Sequence, residues 1–140
     1  QLPHILSATF SPTHLKVGEV LQVEFVVKNN LPIPARLSTN PKPPYTYDES
    51  KAFWEIVGQE EKEALHLRVT SDHPGSNHPG SWPWLFGFEK ASLAPSETTT
   101  VKGFIRVQTA GTFEFRVGLV PGGHGFIDDN AFRTKITIEK

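Results

Sequence analysis

The stretch VLQVEFVVK, Val20 to Lys28, alternates apolar with mostly polar side chains. The apolar set falls on every second position: Leu21, Val23, Phe25 and Val27. A period of two is the period of a β-strand, whose successive side chains point to opposite faces of a sheet. The stretch therefore predicts a strand with one face in a core and the other in solvent, as in antiparallel sheets.

The same alternation recurs along the chain, which makes the sequence predominantly β. Long strands are predicted in ALHLRVT (64–70), TVKGFIRVQ (100–108), GTFEFRVGLV (111–120) and AFRTKITIE (131–139). The last of these is expected to point Phe132, Thr134, Ile136 and Ile138 inward. Shorter strands are predicted at 5–10, after Pro34, at 52–57 and at 85–88. Gly103 is expected to mark a bulge or a close approach of another group.

Turn residues separate these segments, and no segment of helical length has a 3.6-residue apolar period. The pattern predicts an all-β fold. We expect an immunoglobulin-like antiparallel two-sheet β-sandwich of about eight strands, with a small β-barrel as the alternative. No composition shift marks a domain boundary, so residues 1–140 are predicted to form a single domain.

Composition excludes several classes of protein. The formal net charge is −1 and no basic stripe occurs, which disfavours nucleic-acid binding. No apolar run approaches the roughly 18 residues of a membrane span. The chain has no cysteine, so disulfides and thiolate chemistry are absent. This fits a cytosolic protein or an exported bacterial protein without disulfides, and we favour the exported or cell-surface location.

The second half of the chain resembles a bacterial immunoglobulin-like module. The resemblance lies in LAPSETTTVKGFIRVQTAGTFEFRVGLV (93–120) and GGHGFIDDN (122–130), and in the segments PPYTYDES (43–50) and WPWLFGFE (82–89). The whole is similar to CARDB-type domains and to the four-tryptophan Ig-like domain of autophagy receptors. This resemblance implies an Ig-like sandwich, attached to surface proteins or enzymes, without shared catalytic residues.

One loop region concentrates unusual residues. The stretch DHPGSNHPGSWPWLFGFE (72–89) repeats His-Pro-Gly-Ser and then carries two tryptophans. Together with the proline-rich segment 38–50, it is expected to form the contact surface, through loops 38–50 and 72–84. The candidate ligand-binding residues are Tyr45, Tyr47, His73, His78, Trp82 and Trp84. Trp84 is expected to be mainly buried, and Trp54 to lie in the core.

The sequence predicts neither a metal site nor a catalytic site. His73 and His78 lie five residues apart, with His124 as a third imidazole from another loop, but zinc needs three or four converging ligands. Asp128, Asp129 and Asn130 could bind calcium together with Asp48 and Glu49, but they lack the alternating ligands of a calcium loop. The catalytic motifs G-x-S-x-G, H-E-x-x-H and the phosphate loop are missing. We therefore expect no cofactor and no enzyme.

The sequence favours a non-catalytic interaction or spacer module that contacts a protein partner or a neighbouring domain. A carbohydrate-binding module that uses the loop aromatics is the first alternative, with a glycan as partner. An inhibitor of intracellular proteases, inserting the loop NPKPPYTY (40–47) into a protease cleft, is the second.

Overall fold

The computed structural model describes residues 3–58, 63–74, 81–121 and 128–140. Within these ranges the chain forms eleven strands and one turn of helix. In chain order they are β1 (His4–Ser11), β2 (His14–Lys16), β3 (Val20–Lys28), β4 (Ala35–Arg36), β5 (Tyr45–Asp48), α1 (Phe53–Ile56), β6 (Leu65–Ser71), β7 (Trp84–Phe86), β8 (Ser92–Leu93), β9 (Thr98–Arg106), β10 (Gly111–Pro121) and β11 (Asp128–Glu139).

Two sheets form the sandwich. The first has the strand order β1-β3-β9-β5, the second the order β2-β11-β10-β6-β7, and β4 pairs with β8 in a small separate ribbon. The predicted all-β sandwich is confirmed, and two distinct sheets replace the alternative of a closed barrel. Most neighbours are antiparallel, but β5 runs parallel to β9 and β2 runs parallel to β11.

The core lies between the inner faces of the two sheets. Phe25 of the first sheet meets Phe86 of the second at 6.1 Å between ring centroids. Phe10 and Phe115 make a similar contact at 5.7 Å. Aromatic pairs in these tilted arrangements add to the stabilisation that burial alone provides.

The predicted strand at 20–28 is confirmed, with Leu21, Val23, Phe25 and Val27 all buried. The structure also explains why position 103 is a glycine, because a Cβ there would lie 2.4 Å from the Phe86 ring. The β3–β9 register is continuous, so the glycine permits a close approach and does not mark a bulge.

The prediction of a strand at 52–57 is wrong, because this segment forms the helical turn α1. The Glu55 carboxylate accepts a hydrogen bond from the Ala52 N–H at 2.8 Å, which closes the first turn. Val57 N–H donates to the Phe53 carbonyl at 2.7 Å. Local side-chain capping therefore prevails over the apolar alternation.

The prediction that β6 has a solvent face is also wrong. His66 and Thr70 are as buried as the leucines on the opposite face. The Arg68 guanidinium lies 4.8 Å over the Phe53 ring of α1, and the Thr70 hydroxyl donates to the Ser81 carbonyl. The helical turn and the chain entering β7 thus contact the face that was expected to be wet.

Phe132 was expected to point inward and is instead exposed. The β10–β11 register shifts between Phe115 and Val117, so β11 has an extra residue at this point. Phe132 takes the positive φ of 53° within this bulge, which turns its side chain away from the core.

Candidate functional site

Tyr47 lies in the core and not on a binding surface. It is 0% exposed, and its ring meets the edge of Phe86 at 5.3 Å between centroids. Its hydroxyl donates a 2.6 Å hydrogen bond to the Leu85 carbonyl. Burial raises the pKa of Tyr47 far above its usual range, and the neighbouring Tyr45 adds to this effect. A residue in this position cannot contact a partner without unfolding its surroundings.

Trp84 is buried in the same way, as the sequence predicted. It is 0% exposed and stacks on Phe115 with 6.0 Å between ring centroids. Its indole Nε1 has no hydrogen-bond partner among the described residues. The aromatic run at 82–88 is therefore mainly a core anchor, and Trp84 does not belong to a contact surface.

The other predicted contact residues do not converge. Tyr45 is half-buried, with its ring 4.8 Å from Tyr47. His73 is exposed after β6 and stacks on Phe113 at 5.6 Å. Trp82 is half-buried just before β7. His78 lies outside the described residues.

The segment 38–53 runs along the free edge of β7 and closes it. Phe53 N–H donates to the Pro83 carbonyl at 2.7 Å, and Gly87 N–H donates to the Pro41 carbonyl at 3.2 Å. Between these two bonds, the Tyr47 hydroxyl binds the Leu85 carbonyl. All three groups on the β7 side belong to alternate residues, which point to the same side of a strand. The edge that β7 would otherwise expose is therefore satisfied.

This geometry separates the two predicted contact loops. Pro41 lies beside Gly87, which follows β7, whereas Phe53 lies beside Pro83, which precedes β7. Loop 38–44 and residues 81–83, which lead into β7, thus lie at opposite ends of this strand. The contact surface was expected to lie on one loop end that carries Tyr45, Tyr47, His73, His78 and Trp82, and the burial of Tyr47 removes this residue from it.

Loop 38–44 is anchored to the sandwich. Phe88 N–H donates to the Ser38 carbonyl at 2.7 Å, and Ser38 and Pro41 are buried. At Gly87 a Cβ would lie 2.8 Å from both the Asn40 nitrogen and the Pro41 oxygen. The loop exposes Thr39, Asn40, Lys42 and Pro44 to solvent.

The helical turn α1 exposes apolar residues that the sequence placed in the core. Trp54 and Ile56 are each 50% exposed, so the expectation of a core Trp54 is wrong. Successive residues of a helix point about 100° apart, so Phe53 turns inward while Trp54 turns outward. The Phe53 and Trp54 rings meet edge to face at 5.2 Å. The sequence signal for this arrangement is Glu55, three residues after Ala52, whose carboxylate accepts the Ala52 N–H at the start of the helical turn.

The acidic residues considered for calcium have other partners. Asp48 accepts hydrogen bonds from the Ser50 hydroxyl at 2.6 Å and from the Gln108 amide at 2.9 Å. The hydrogen bond from Ser50 is the main cause that lowers the Asp48 pKa. Glu49 is buried and accepts backbone N–H bonds from Gln108 and Thr109 at 2.8 and 3.3 Å.

No group of three or more histidine, aspartate and glutamate side chains with metal-site geometry occurs among the described residues. His124 and the side chains of Asp128, Asp129 and Asn130 lie outside what the structure describes. No helix in the described ranges has the length and apolar character needed to cross a membrane.

No family model and no curated protein matches the chain. Among solved structures, it is similar to the alkylpurine DNA glycosylase AlkC of Pseudomonas fluorescens bound to DNA with an abasic site analog, at 12% identity and a TM-score of 0.57. That match covers 99% of this chain and 30% of the glycosylase, so the chain spans less than a third of that protein.

Another similar structure is the CARDB domain of the PF1109 protein from Pyrococcus furiosus, in complex with di-metal ions. The identity is 12%, the TM-score is 0.55, and the match covers 99% of this chain and 94% of that domain. The sporulation control protein Spo0M of Bacillus subtilis matches at 12% identity and a TM-score of 0.50, over all of this chain and 50% of Spo0M. These likenesses support a CARDB-like, immunoglobulin-like fold and nothing finer.

Proposed function

We propose that this chain is a non-catalytic immunoglobulin-like module that contacts a protein partner. The contact surface is formed by Trp54 and Ile56 of α1 together with Trp82, and it is called the Trp54 surface below. The observation that carries the proposal is the exposure of Trp54 and Ile56, at 50% each, on one helical turn. Two large apolar side chains exposed within one helical turn favour a binding role.

The scaffold under this surface is held in place. Phe53 is buried beneath Trp54 and carries the Arg68 guanidinium on its ring at 4.8 Å. The hydrogen bond from Phe53 N–H to the Pro83 carbonyl fixes α1 beside the chain that leads from Trp82 into β7. A tryptophan on a fixed support loses little conformational freedom on binding, which is a property of interface hot spots.

A protein partner is favoured over a glycan. Sugar binding by an aromatic platform uses exposed, neighbouring rings, whereas Trp84 and Tyr47 are buried. The protease-inhibitor alternative is also less favoured, because loop 38–44 is anchored through Ser38, Pro41 and Gly87. Attachment to an exported or cell-surface bacterial protein remains part of the proposal, on the resemblance to CARDB-type domains and the lack of cysteine.

The test compares the proteins retained from a source-cell extract by three immobilised domains. They are the wild type, Trp54→Ala and the control Leu6→Ala, which truncates an equally apolar residue that is 43% exposed on β1. Each variant is first shown to melt like the wild type. The expected result is a set of proteins that the wild type and Leu6→Ala retain and that Trp54→Ala loses by about tenfold or more.

Equal retention by wild type and Trp54→Ala would overturn the proposed surface. Binding of the wild type to a soluble polysaccharide, lost on Trp54→Ala, would instead establish the carbohydrate-binding alternative.

A further inference from the structure

The strand β9 is paired unequally on its two sides. On one side it pairs with β3 along its full length, from Thr98 to Arg106. On the other side it pairs with β5 only from Gly103 to Arg106. The first half of β9 therefore forms an edge of the sheet, whereas the edge of β7 is closed by segment 38–53.

Two hydrogen bonds fix the direction of the backbone groups in β9. The Glu97 carbonyl accepts from Asn29 N–H, on the β3 side, and the Arg106 carbonyl accepts from Glu49 N–H, on the β5 side. Backbone groups of alternate residues point to the same side of a strand, so even-numbered residues of β9 face away from β3. Within the described residues, no hydrogen bond satisfies the N–H of Lys102 or either backbone group of Thr100 and Thr98.

Two prolines stop β5 from covering this edge. Pro43 and Pro44 immediately precede β5, and proline has no N–H to donate to a neighbouring strand. They form a wall of an open groove of about 300 Å³ whose other lining residues are Glu89, Thr100 and Lys102. The groove lies where a further extended segment would continue the sheet.

The charge of the groove limits the segment that would fit. Lys102 is exposed, and the described part of the chain gives it no ion pair. An acidic side chain beside Lys102 would therefore be favoured, whereas one beside Glu89 would be repelled. The apolar faces of Pro43 and Pro44 suit an aliphatic side chain between these two positions.

We infer that the Thr98–Lys102 edge of β9 binds an extended segment of a protein partner by strand addition, with an acidic side chain beside Lys102. Main-chain hydrogen bonds to Thr98, Thr100 and Lys102 provide the affinity, and the groove selects the side chains. The edge shares no residue with the Trp54 surface. Its test is therefore independent of the proposed function.

The test starts from a display library of random linear peptides selected on the folded wild-type domain. Affinities of the selected peptides are measured for the wild type, Thr100→Pro and the matched control Thr100→Ala. Proline at this position removes an N–H that faces away from β3, so the β3–β9 pairing is retained. The expected result is binding to wild type and Thr100→Ala, with a loss of about tenfold or more on Thr100→Pro.

Lys102→Glu provides a second variant that does not depend on proline being tolerated. This substitution is expected to lower the affinity for acidic peptides by about tenfold. In the wild type, peptide binding should also slow amide hydrogen exchange at Thr100. The inference is overturned if no peptide is selected. It is equally overturned if the selected peptides bind Thr100→Pro and Lys102→Glu as tightly as the wild type.

Discussion

At the scale of single residues, Tyr47 shows how one hydroxyl completes the sandwich. The phenol crosses from β5 of the first sheet to the Leu85 carbonyl of β7 in the second. That carbonyl points away from β6, so no neighbouring strand could satisfy it. Tyr47 thus has a structural role, whereas the polar YTYD segment around it led us to predict a ligand-binding residue.

Replacing Tyr47 by phenylalanine should destabilise the domain by about 1–2 kcal/mol, because the Leu85 carbonyl would stay buried without its donor. Chemical denaturation of the variant measures this loss in the free energy of unfolding. Tyr45→Phe is the control, because the half-buried Tyr45 ring packs on Tyr47 and its hydroxyl makes no hydrogen bond among the described residues. Equal stability of Tyr47→Phe and wild type would contradict the assignment.

The same tyrosine makes the stability sensitive to alkaline pH. Burial raises the pKa of Tyr47 in the folded state above the ordinary value of 10.0, so the unfolded chain releases its proton first as the pH rises. This contribution to stability is fully present below pH 10 and is lost as the pH rises towards the folded pKa.

Relative to Tyr47→Phe, the wild type should therefore lose up to about 1.4 kcal/mol of unfolding free energy per pH unit above pH 10. Denaturation of both proteins across this range measures the difference. Parallel pH profiles for the two proteins would show that Tyr47 titrates normally in the folded state.

At the scale of elements, strands with regular alternation could be predicted from sequence, as β3 shows, because one face must be apolar. The helical turn at 53–56 could not be predicted in that way. Its apolar residues are too few to reveal a period, and a single carboxylate, Glu55, decides the outcome through its bond to Ala52. Short elements depend on such individual contacts more than on pattern.

The faces of β6 and β11 show a second limit of the pattern. Polar side chains at His66 and Thr70 predicted a wet face, but both residues are buried, and the Thr70 hydroxyl donates to the Ser81 carbonyl. At Phe132, one extra residue in β11 reverses the direction of the side chain. Neither a cover from elsewhere in the chain nor a bulge leaves a signal in the local alternation.

The β9–β10 connection depends on Glu49, which offers a test at this scale. Its buried carboxylate accepts from both Gln108 and Thr109 N–H groups. Glu49→Ala should cost about 2–3 kcal/mol of unfolding free energy, since two N–H groups lose a charged acceptor. Glu49→Gln keeps an acceptor oxygen and should lose less.

Denaturant titrations of both Glu49 variants measure this order of stability. A Glu49→Ala domain as stable as Glu49→Gln would show that the two N–H groups are satisfied without the carboxylate.

At the scale of the whole molecule, the candidate site was only partly predictable. The sequence located an aromatic region, and Trp84 is buried as expected. It could not show that loop 38–44 and residues 81–83 lie at opposite ends of β7, because that depends on the path of segment 38–53 across the sandwich. The exposure of Trp54 follows from the same path.

Among the described residues, segment 38–53 closes the edge of β7, whereas the first half of β9 has no neighbouring strand on the side away from β3. Exposed sheet edges are normally covered or shortened, because their unpaired backbone groups can pair with another chain. An uncovered edge beside a groove is therefore a candidate binding site. Amide hydrogen exchange followed by NMR observes each backbone N–H group of these two edges separately in the native protein.

We expect the amides of Thr99 and Val101, which face β3, to exchange on the order of a hundredfold more slowly than that of Thr100. Gly87, bonded to Pro41, should also exchange more slowly than Thr100. Protection of Thr100 equal to that of Thr99 would show that the β9 edge is covered, and exchange at Gly87 as fast as at Thr100 would show that the β7 edge is not closed.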